Sequence, residues 1–314
     1  MADETIPAHV DDITVEWLNT VLAQRDDIGT IESIDIAHFG EGVGILGELA
    51  RISLNYAPGH VGPPTLVAKC AAAAEENHFL AIVMGFYVRE VNFYREIAHR
   101  VDVRVPAAYH VDTSETGVPF VLLIEDIPDA STPDQIAGIT ADDARTIISA
   151  IVPLHVQFWN KLPELEALEW LPPMNNDLYK GGEAMGTALF PAFAEHFAEH
   201  IDADTMDKIG ESCRRYADLL DYTTTVGAPT VTHTDCRAEN YLFGGPGGDD
   251  AVTVIDFQLS TRHIGMWDVA NLLAGSMTPD DRRAHESEII QHYVDAIVGH
   301  GIEHVRRGRP IGQL

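Results

Sequence analysis

The sequence predicts an α+β protein of two lobes: an N-terminal antiparallel sheet with one helix, then a mostly helical C-terminal lobe. Three observations predict this fold class. Strand-like segments dominate residues 30–70, helical periodicity dominates from residue 141 onward, and a nearly continuous apolar run, Val118–Pro128, lies between them. A chain of 314 residues with 46% hydrophobic content can fill more than one core. We place the boundary after residue 127, giving lobes of residues 1–127 and 128–314.

The overall charge is strongly negative, with 49 acidic against 20 basic residues and a formal net charge of -29. Such a surface repels the phosphates of nucleic acids and of anionic lipids. We therefore expect a small-molecule or protein partner, and neither nucleic acid nor a membrane. Adaptation to salt would give the same charge balance, and the oligomeric state cannot be read from the sequence.

The three cysteines, Cys70, Cys213 and Cys236, are far apart and have no spacing typical of a zinc site. This usage favours a reducing, cytoplasmic setting. The N-terminal segment MADETIPAHVDD is acidic and lacks the apolar centre of a signal peptide. No apolar run reaches the ~20 residues that a membrane-spanning helix needs.

Strand patterns in the N-terminal lobe surround a glycine-rich stretch. The predicted strands are Thr30–Phe39, Glu48–Tyr56 and Pro64–Cys70. Between the first two, GEGVGILG contains the pattern G-x-G-x-x-G at Gly42, Gly44 and Gly47. A dinucleotide-binding fold needs a helix after this pattern, whereas a strand follows here. A glycine-rich hairpin covering nucleotide phosphates fits better, and a simple flexible turn is the alternative.

One helix, Asn77–Ile97, is predicted after the third strand. Its apolar face contains six residues at helical spacing: Phe79, Ile82, Val83, Phe86, Phe93 and Tyr94. Glu90 lies on or beside this face, where a carboxylate is unfavourable unless it meets a cation. Lys69 in the preceding strand is the expected partner. The alternative is that Glu90 lies at the edge of the face and reaches solvent.

Two polar motifs stand out in the C-terminal lobe. VTHTDCRAENYLF places His233, Asp235 and Asn240 in one loop between apolar flanks, and AVTVIDF ends a predicted strand at Asp256. The intervening GGPGGDD is a turn signal, so these segments predict a hairpin that carries catalytic groups on its loops. The helix GMWDVANLL then begins with Asp268 near its N-terminus.

Taken in order along the chain, these residues match the parts that transfer a phosphoryl group from ATP. Magnesium prefers hard oxygen ligands, which Asp256 and the amide oxygen of Asn240 provide. Asp235 can accept the proton of an acceptor hydroxyl held in line with the γ-phosphate. Lys69 offers positive charge to the α- and β-phosphates, and Glu90 fixes its direction.

At these motifs the chain resembles the aminoglycoside phosphotransferase and choline kinase-like superfamily, and it looks most similar to the ecdysteroid-kinase-like branch. The resemblance covers nearly the whole chain and rests on VTHTDCRAENYLF, VIDFQ, GMWDVANLL, LHVQFW and FYVREVNFY. It implies a bilobal, protein-kinase-like fold that uses ATP and Mg²⁺. It also implies Asp235 as the catalytic aspartate, with Asn240 and Asp256 holding the magnesium ion.

The resemblance further implies where the nucleotide lies and what braces the catalytic loop. Adenine would lie against the connector between the lobes, so Leu123, Glu125 and Ile127 are counted with the nucleotide-binding residues. His233 and Asp268 would have a structural role beside Asp235.

Three departures from the family pattern are visible. Members more often have glycine where Thr234 stands, a change we expect to matter little. They commonly continue with more helix past residue 314, which leaves the extent of the acceptor pocket open. Asp-Phe-Gln at Asp256 replaces the Asp-Phe-Gly of protein kinases, which favours a small-molecule kinase over a protein kinase with a regulated activation segment.

The sequence thus predicts transfer of the ATP γ-phosphate to a hydroxyl of a small molecule. The first alternative is a nucleotide-binding pseudokinase with a regulatory or scaffold role. A second is a metal-dependent hydrolase that uses His233, Asp235 and Asp256, although it explains neither Lys69 nor the glycine stretch.

The acceptor is the least defined part of this prediction. An acidic pocket would favour a neutral or cationic alcohol, and ATP is not distinguished from GTP. Residues 165–225 are expected to shape the acceptor site, and Tyr179 and Lys180 could face it, although an exposed segment is the simpler interpretation. His155, in the apolar stripe of a helix predicted over residues 141–160, is expected to be packed and hydrogen-bonded in the core rather than to touch a ligand.

Overall fold

The N-terminal part of the protein is a five-stranded sheet. The computed structural model describes residues 5–39, 47–72, 74–248 and 251–302. The strands are β1 (Ile31–Phe39), β2 (Glu48–Tyr56), β3 (Thr65–Cys70), β4 (Ala108–Thr113) and β5 (Phe120–Glu125). Their spatial order is β1-β2-β3-β5-β4, and every neighbouring pair is antiparallel. With the helices that follow, this sheet confirms the predicted α+β class, in which an N-terminal antiparallel sheet precedes a mostly helical C-terminal part.

Alternation of side chains places the apolar residues of the central strands on one face of this sheet. Helix α1 (Val15–Val21) covers that face, where Leu18 packs with buried strand residues such as Ile52. Thr14 caps α1, because its hydroxyl accepts a hydrogen bond from the Trp17 N–H at 3.1 Å. The opposite face of the sheet is therefore available to pack against helices that come later in the chain.

The segment predicted as one helix is divided into three helical pieces. Helix α2 (Glu75–Met84) ends at Gly85, which has φ +70°, a conformation that glycine adopts without strain. Helix α3 (Phe86–Asn92) starts directly afterwards and continues into a π-helical turn over Phe93–Ile97. The prediction of an uninterrupted helix is therefore wrong, and Gly85 is the reason.

The division at Gly85 also changes which side chains are buried. Phe86 and Phe93 belong to the main core, as predicted. Phe79, Ile82 and Val83 are exposed, so their assignment to the same buried face is wrong. Because the left-handed Gly85 separates α2 from α3, the two helices do not share one axis. Their apolar residues therefore do not form one continuous face.

Helices dominate the C-terminal part, as predicted. They are α4 (Ala141–Phe158), α5 (Leu162–Ala167), α6 (Asp177–Lys180), α7 (Gly182–His196), α8 (Ala203–Arg214), α9 (Tyr216–Val226), α10 (Met266–Ser276) and α11 (Pro279–Gly299). Four short strands form two antiparallel pairs, β6 with β9 and β7 with β8: β6 (Pro229–Thr232), β7 (Tyr241–Phe243), β8 (Val252–Val254) and β9 (Thr261–Ile264).

A shared core holds the segments around Phe93 and Phe257 against the helices. Thr140 and Asp143 cap the start of α4 reciprocally, and buried residues of α4 pack against those of α11. The ring of Phe93 stacks on Phe257 with centroids 3.5 Å apart, which joins the helix after β3 to the segment after β8. Within the described ranges, no helix is both long and apolar enough to cross a membrane.

Candidate active site

Lys69 lies where charged side chains from the two halves of the chain meet. Its Nζ is 3.0 and 2.7 Å from the two carboxylate oxygens of Glu90, and 2.9 Å from Oδ1 of Asp256. Lys69 is 8% and Glu90 is 2% exposed. Glu90 therefore meets Lys69, and the alternative in which it reaches solvent from the edge of the helix does not hold. Asp256 belongs to the C-terminal part of the chain, so the ion pair of Lys69 with Asp256 joins the N-terminal and C-terminal parts.

Burial and the neighbouring charges together set the protonation of this cluster. Burial alone lowers the pKa of Lys69, but Asp256 and Glu90 outweigh it and raise that pKa above its ordinary value. Burial raises the pKa of Glu90 to about 7, because it outweighs the lowering effect of the Lys69 ammonium. Lys69 is thus held as a cation, whereas Glu90 titrates near neutral pH.

The two strands on either side of the glycine-rich stretch, β1 and β2, are antiparallel neighbours. Gly42 and Gly44 lie outside the described residues. Gly47 is described, and a Cβ added there would lie 3.1 Å from Cε of Lys69. A side chain at Gly47 would thus press on the lysine, which gives this glycine a steric role beside the ion pair.

Asp235 lies in a loop whose polar side chains contact one another. The Asn240 side-chain nitrogen donates to the Asp235 carbonyl at 2.8 Å and to its carboxylate at 3.0 Å. Because the nitrogen makes both bonds, the amide oxygen of Asn240 remains available to a cation. Nε of Arg237 is 3.3 Å from Oδ2 of Asp235, and its Nη1 is 3.1 Å from Glu239.

A backbone hydrogen bond links this loop to Asp256. The Ile255 N–H donates to the Asn240 carbonyl at 3.0 Å, next to the β7–β8 pairing. Asp256 follows with φ +66°, so the predicted strand Ala251–Phe257 stops early and turns at this residue. Aspartate tolerates this left-handed conformation better than most residues. The turn brings its carboxylate to Lys69.

Asp268 organises the backbone that precedes Asp235. Its two carboxylate oxygens each accept a backbone N–H at 2.8 Å, one from His233 and one from Thr234. His155 donates from Nε2 to the same carboxylate at 3.0 Å, and its Nδ1 accepts from the Tyr293 hydroxyl at 3.1 Å. His155 is thus packed and hydrogen-bonded in the core, as expected.

His233 is used within the framework as well. Its Nε2 donates to the Ile255 carbonyl at 2.8 Å, and its ring lies 4.8 Å from that of Phe257. This contact holds the segment before Asp256 against the loop of Asp235. The Nδ1 of His233 has no hydrogen-bond partner among the described residues, so the metal-dependent hydrolase is judged by whether His233, Asp235 and Asp256 come together as ligands. Across the described residues, no group of three or more His, Cys, Asp or Glu side chains is placed to hold a metal ion.

The connector residues are not gathered around Lys69. Leu123 pairs with Ala68 and is buried in the core under α1, on the face opposite to Lys69. The carboxylate of Glu125 pairs with Arg104 at 2.7 Å and accepts the Ala107 N–H at 3.0 Å. The side chains of Leu123 and Glu125 are therefore engaged elsewhere, so a nucleotide base would have to contact the connector backbone.

Ile127 is also buried, and a Cβ added at Gly245 would lie 2.6 Å from its Cγ2. Its side chain therefore packs against the turn after β7.

Sequence reasoning missed two polar side chains beside the predicted residues. Arg237 has a visible signal, because it is a cation two positions after Asp235. Gln258 donates from Nε2 to Asp256 at 3.2 Å, while its buried Oε1 has no partner among the described residues. The sequence marks this glutamine only as the last residue of the VIDFQ motif, two positions after Asp256.

Two contacting pairs of predicted site residues are thus linked. Lys69 contacts Asp256, Asp235 contacts Asn240, and the backbone bond at Ile255 joins the two pairs. This geometry places a cation, two carboxylates and an amide in one region between the sheet and the helices.

The chain is similar to several solved structures. Three similar solved structures are a GDP and kanamycin complex of APH(2")-IIIa, an aminoglycoside-3'-phosphotransferase of type VIII and a microcompartment-associated aminopropanol kinase. The first is 15% identical, covers 91% of this chain and 89% of its own, and has a TM-score of 0.49. The second is 16% identical, covers 86% of this chain and 94% of its own, and has a TM-score of 0.43. The third is 14% identical, covers 95% of this chain and 82% of its own, and has a TM-score of 0.38. No curated protein sequence matches the chain.

One family model matches residues 67–304, which is more than half of the chain. Its description is DUF1679, Uncharacterized oxidoreductase dhs-27. This family is ecdysteroid-kinase-like, in agreement with the branch that the motifs resemble. The chain therefore belongs to the DUF1679 family.

Proposed function

We propose that this protein is an ATP- and Mg²⁺-dependent phosphotransferase that moves the γ-phosphate to a hydroxyl of a small molecule. The observation that carries the proposal is the position of Lys69 between Glu90 and Asp256, with 2.7 and 2.9 Å ion pairs to the two. A buried cation shared by two carboxylates from different parts of the chain suits a site where a charged ligand is bound between them.

Lys69 is proposed to bind the α- and β-phosphates, and Glu90 to hold its ammonium in place. Gly47 leaves room for this lysine, and Gly42 and Gly44 are proposed to cover the phosphates with backbone N–H groups.

Leu123 pairs with strands on both sides, and the Glu125 N–H donates to the Ala107 carbonyl. We therefore propose that adenine contacts the backbone at the end of the connector, up to Ile127.

The oxygen donors beside Asp256 fit a magnesium ion. Asp256, the free amide oxygen of Asn240 and the unpartnered Oε1 of Gln258 are hard ligands in the same region. One or two protein oxygens suffice for this ion when phosphates complete its coordination. When bound, it would supply charge neutralisation at the phosphate oxygens.

Asp235 is proposed to accept the proton of the acceptor hydroxyl. Its carboxylate is held by Asn240, which orients it, and lies 3.3 Å from the Arg237 guanidinium. Arg237 is proposed to stabilise negative charge that develops on the transferred group. His233 and Asp268 keep the loop in position through the backbone contacts described above.

The placement of these residues also supports the division after residue 127, with nucleotide binding in residues 1–127 and catalysis with acceptor binding in residues 128–314. The strongly acidic chain favours a neutral or cationic alcohol as acceptor. We further propose a reducing, cytoplasmic setting, since Cys70, Cys213 and Cys236 are free thiols.

The oxidoreductase wording of the family description finds little support in the topology. A dinucleotide-binding fold places a helix after its glycine motif, in a parallel sheet. Here β1 and β2 flank the glycines and are antiparallel neighbours. The pseudokinase remains the main alternative, and a measurement of turnover separates it from the enzyme.

The test is a screen of small alcohols coupled to ADP release, run on the wild type and on Asp235→Asn. We expect turnover with at least one acceptor and a loss of about 100-fold or more in the variant, since a positioned base contributes at that scale. Glu239→Gln is the matched control, because it removes a carboxylate from the same loop, one that also pairs with Arg237. Equal, nonzero turnover in wild type and Asp235→Asn would remove Asp235 from the mechanism, and no turnover with any acceptor would favour the scaffold role.

A further inference from the structure

Arg89 is a buried cation that takes no part in the proposed transfer. It precedes Glu90 on α3 and is 2% exposed. Its Nη1 donates to the Tyr179 hydroxyl at 2.7 Å and to the Ser260 carbonyl at 3.2 Å, and its Nη2 donates to the Met84 carbonyl. All three acceptors are neutral, and none of the side chains that the structure describes offers Arg89 a carboxylate.

An interior guanidinium without a counter-ion is unfavourable, because the charge has lost its water. Burial accordingly lowers the pKa of Arg89, although contact with Tyr179 partly opposes this. A guanidinium carries five N–H donors, and Arg89 uses three of them in the described structure, so Nε–H and one hydrogen on Nη2 remain. A carboxylate is the group that matches two such parallel donors.

Arg89 lines a cavity of about 440 Å³ between α2, α3 and residues 170–178. Small-molecule sites typically measure about 300–1,000 Å³. Much of the lining is apolar: Ile82, Val83, Met84, Val88, Trp170 and Leu178. Glu115 and Thr116 also line it, but both are solvent-exposed, so the Glu115 charge is screened by water and salt. The cavity therefore combines an apolar wall with one buried cation.

We propose that this cavity binds a small carboxylic acid with an apolar body, whose carboxylate pairs with Arg89. The apolar part of the ligand lies against Ile82 and Val83, which are otherwise unusually exposed for their type at 43% and 45%. None of the residues proposed to bind nucleotide or metal or to act as the base lines this cavity, although residues 170–178 belong to the segment expected to shape the acceptor site. Its occupancy is measurable by binding alone.

The test is isothermal titration calorimetry of the full chain with octanoate, octan-1-ol and octylamine, which share one apolar tail and differ in head-group charge. We expect octanoate to bind at least about tenfold more tightly than octan-1-ol, since only the carboxylate can form a charge-assisted bidentate pair with Arg89. Octylamine should bind most weakly. Equal affinities for the three probes, or no heat with octanoate at millimolar concentration, would overturn the proposal.

Variants identify the location of binding. Arg89→Met should abolish the preference for octanoate over octan-1-ol while the alcohol still binds. Val83→Glu introduces a carboxylate into the cavity wall and should weaken octanoate about tenfold or more. Leu80→Glu is the matched control on the same helix, because Leu80 is 51% exposed and is not part of the cavity lining. Since Val83 and Leu80 are both exposed, both variants should fold, and equal octanoate affinity in the two would place the ligand elsewhere.

Discussion

Asp256 and Asp268 are two carboxylates of the C-terminal part that have opposite surroundings. Asp268 is fully buried, and its oxygens accept fixed backbone N–H groups of His233 and Thr234 at 2.8 Å. The side chain of Asp256 is 21% exposed to solvent, and its partners are the side chains of Lys69 and Gln258. A carboxylate held by backbone dipoles stabilises a loop, whereas one held by movable side chains can exchange them for a ligand. The comparison separates residues that build the site from residues that act in it.

The largest effect that would test this separation is on turnover. Asp256→Asn keeps the shape and the tolerance for φ +66° but loses the charge. We expect ADP release with the acceptor found in the screen to fall by about a thousandfold or more. The urea midpoint of unfolding should stay close to that of the wild type, since Lys69 retains Glu90 as its partner. Wild-type rates in this variant would contradict the assignment of Asp256.

Asp268→Asn should have the opposite profile. The amide nitrogen of the new side chain would face a backbone N–H donor, and the His155 contact loses its charge. We expect the free energy of unfolding to fall by about 3 kcal/mol, as for other broken buried networks. Urea denaturation at constant pH measures this loss. An unchanged free energy of unfolding would mean that Asp268 does not hold the loop.

The pH dependence of stability gives a finer test within the Lys69 cluster. Burial raises the pKa of Glu90 to about 7, above its ordinary 4.5. A raised folded-state pKa gives stability that is complete below the unfolded pKa and is lost as the pH rises through about 7. Between pH 5 and pH 8, the free energy of unfolding of the wild type should therefore fall by on the order of 2 kcal/mol relative to that of Glu90→Gln.

Urea unfolding of both proteins at the two pH values measures this difference. The comparison removes the contribution of other groups, such as His263, whose pKa burial lowers to about 4. If the free energy of unfolding of the wild type increased with pH relative to that of Glu90→Gln, Lys69 would lower the Glu90 pKa more than burial raises it. That result would contradict the expected direction.

Much of the fold and of the Lys69 cluster was predictable because the signals are local or forced by burial. Alternating apolar residues indicate the strands, and a carboxylate on an apolar helical face such as Glu90 requires a cation nearby. The order of Lys69, Glu90, Asp235, Asn240 and Asp256 then indicated which distant residues could meet. The structure places Lys69 in contact with Glu90 and Asp256, and Asp235 in contact with Asn240, while their chemical roles stay predictions.

The remaining features depend on tertiary context that a sequence pattern does not carry. Gly85 could belong to a continuous helix or end one, and only the packing of α3 selects its left-handed conformation. The contact of His155 with Asp268 joins residues 113 positions apart. The facing direction of Leu123 depends on the strand register, because a shift of one residue moves a side chain to the other face.

Thr234 provides the smallest test, and it lies beside Asp268. Its φ of +72° is unusual for a β-branched residue, and its hydroxyl is 2.7 Å from that of Thr261 and 3.0 Å from that of Thr232. Thr234→Gly and Thr234→Ala lose these hydroxyl contacts equally, but only glycine is free of strain at this φ. We expect glycine to be the more stable variant by about 1 kcal/mol in urea unfolding, the reverse of the usual order. If alanine were the more stable, the backbone at 234 would not be strained, and the hold of Asp268 on its N–H would not be what keeps the loop of Asp235 in shape.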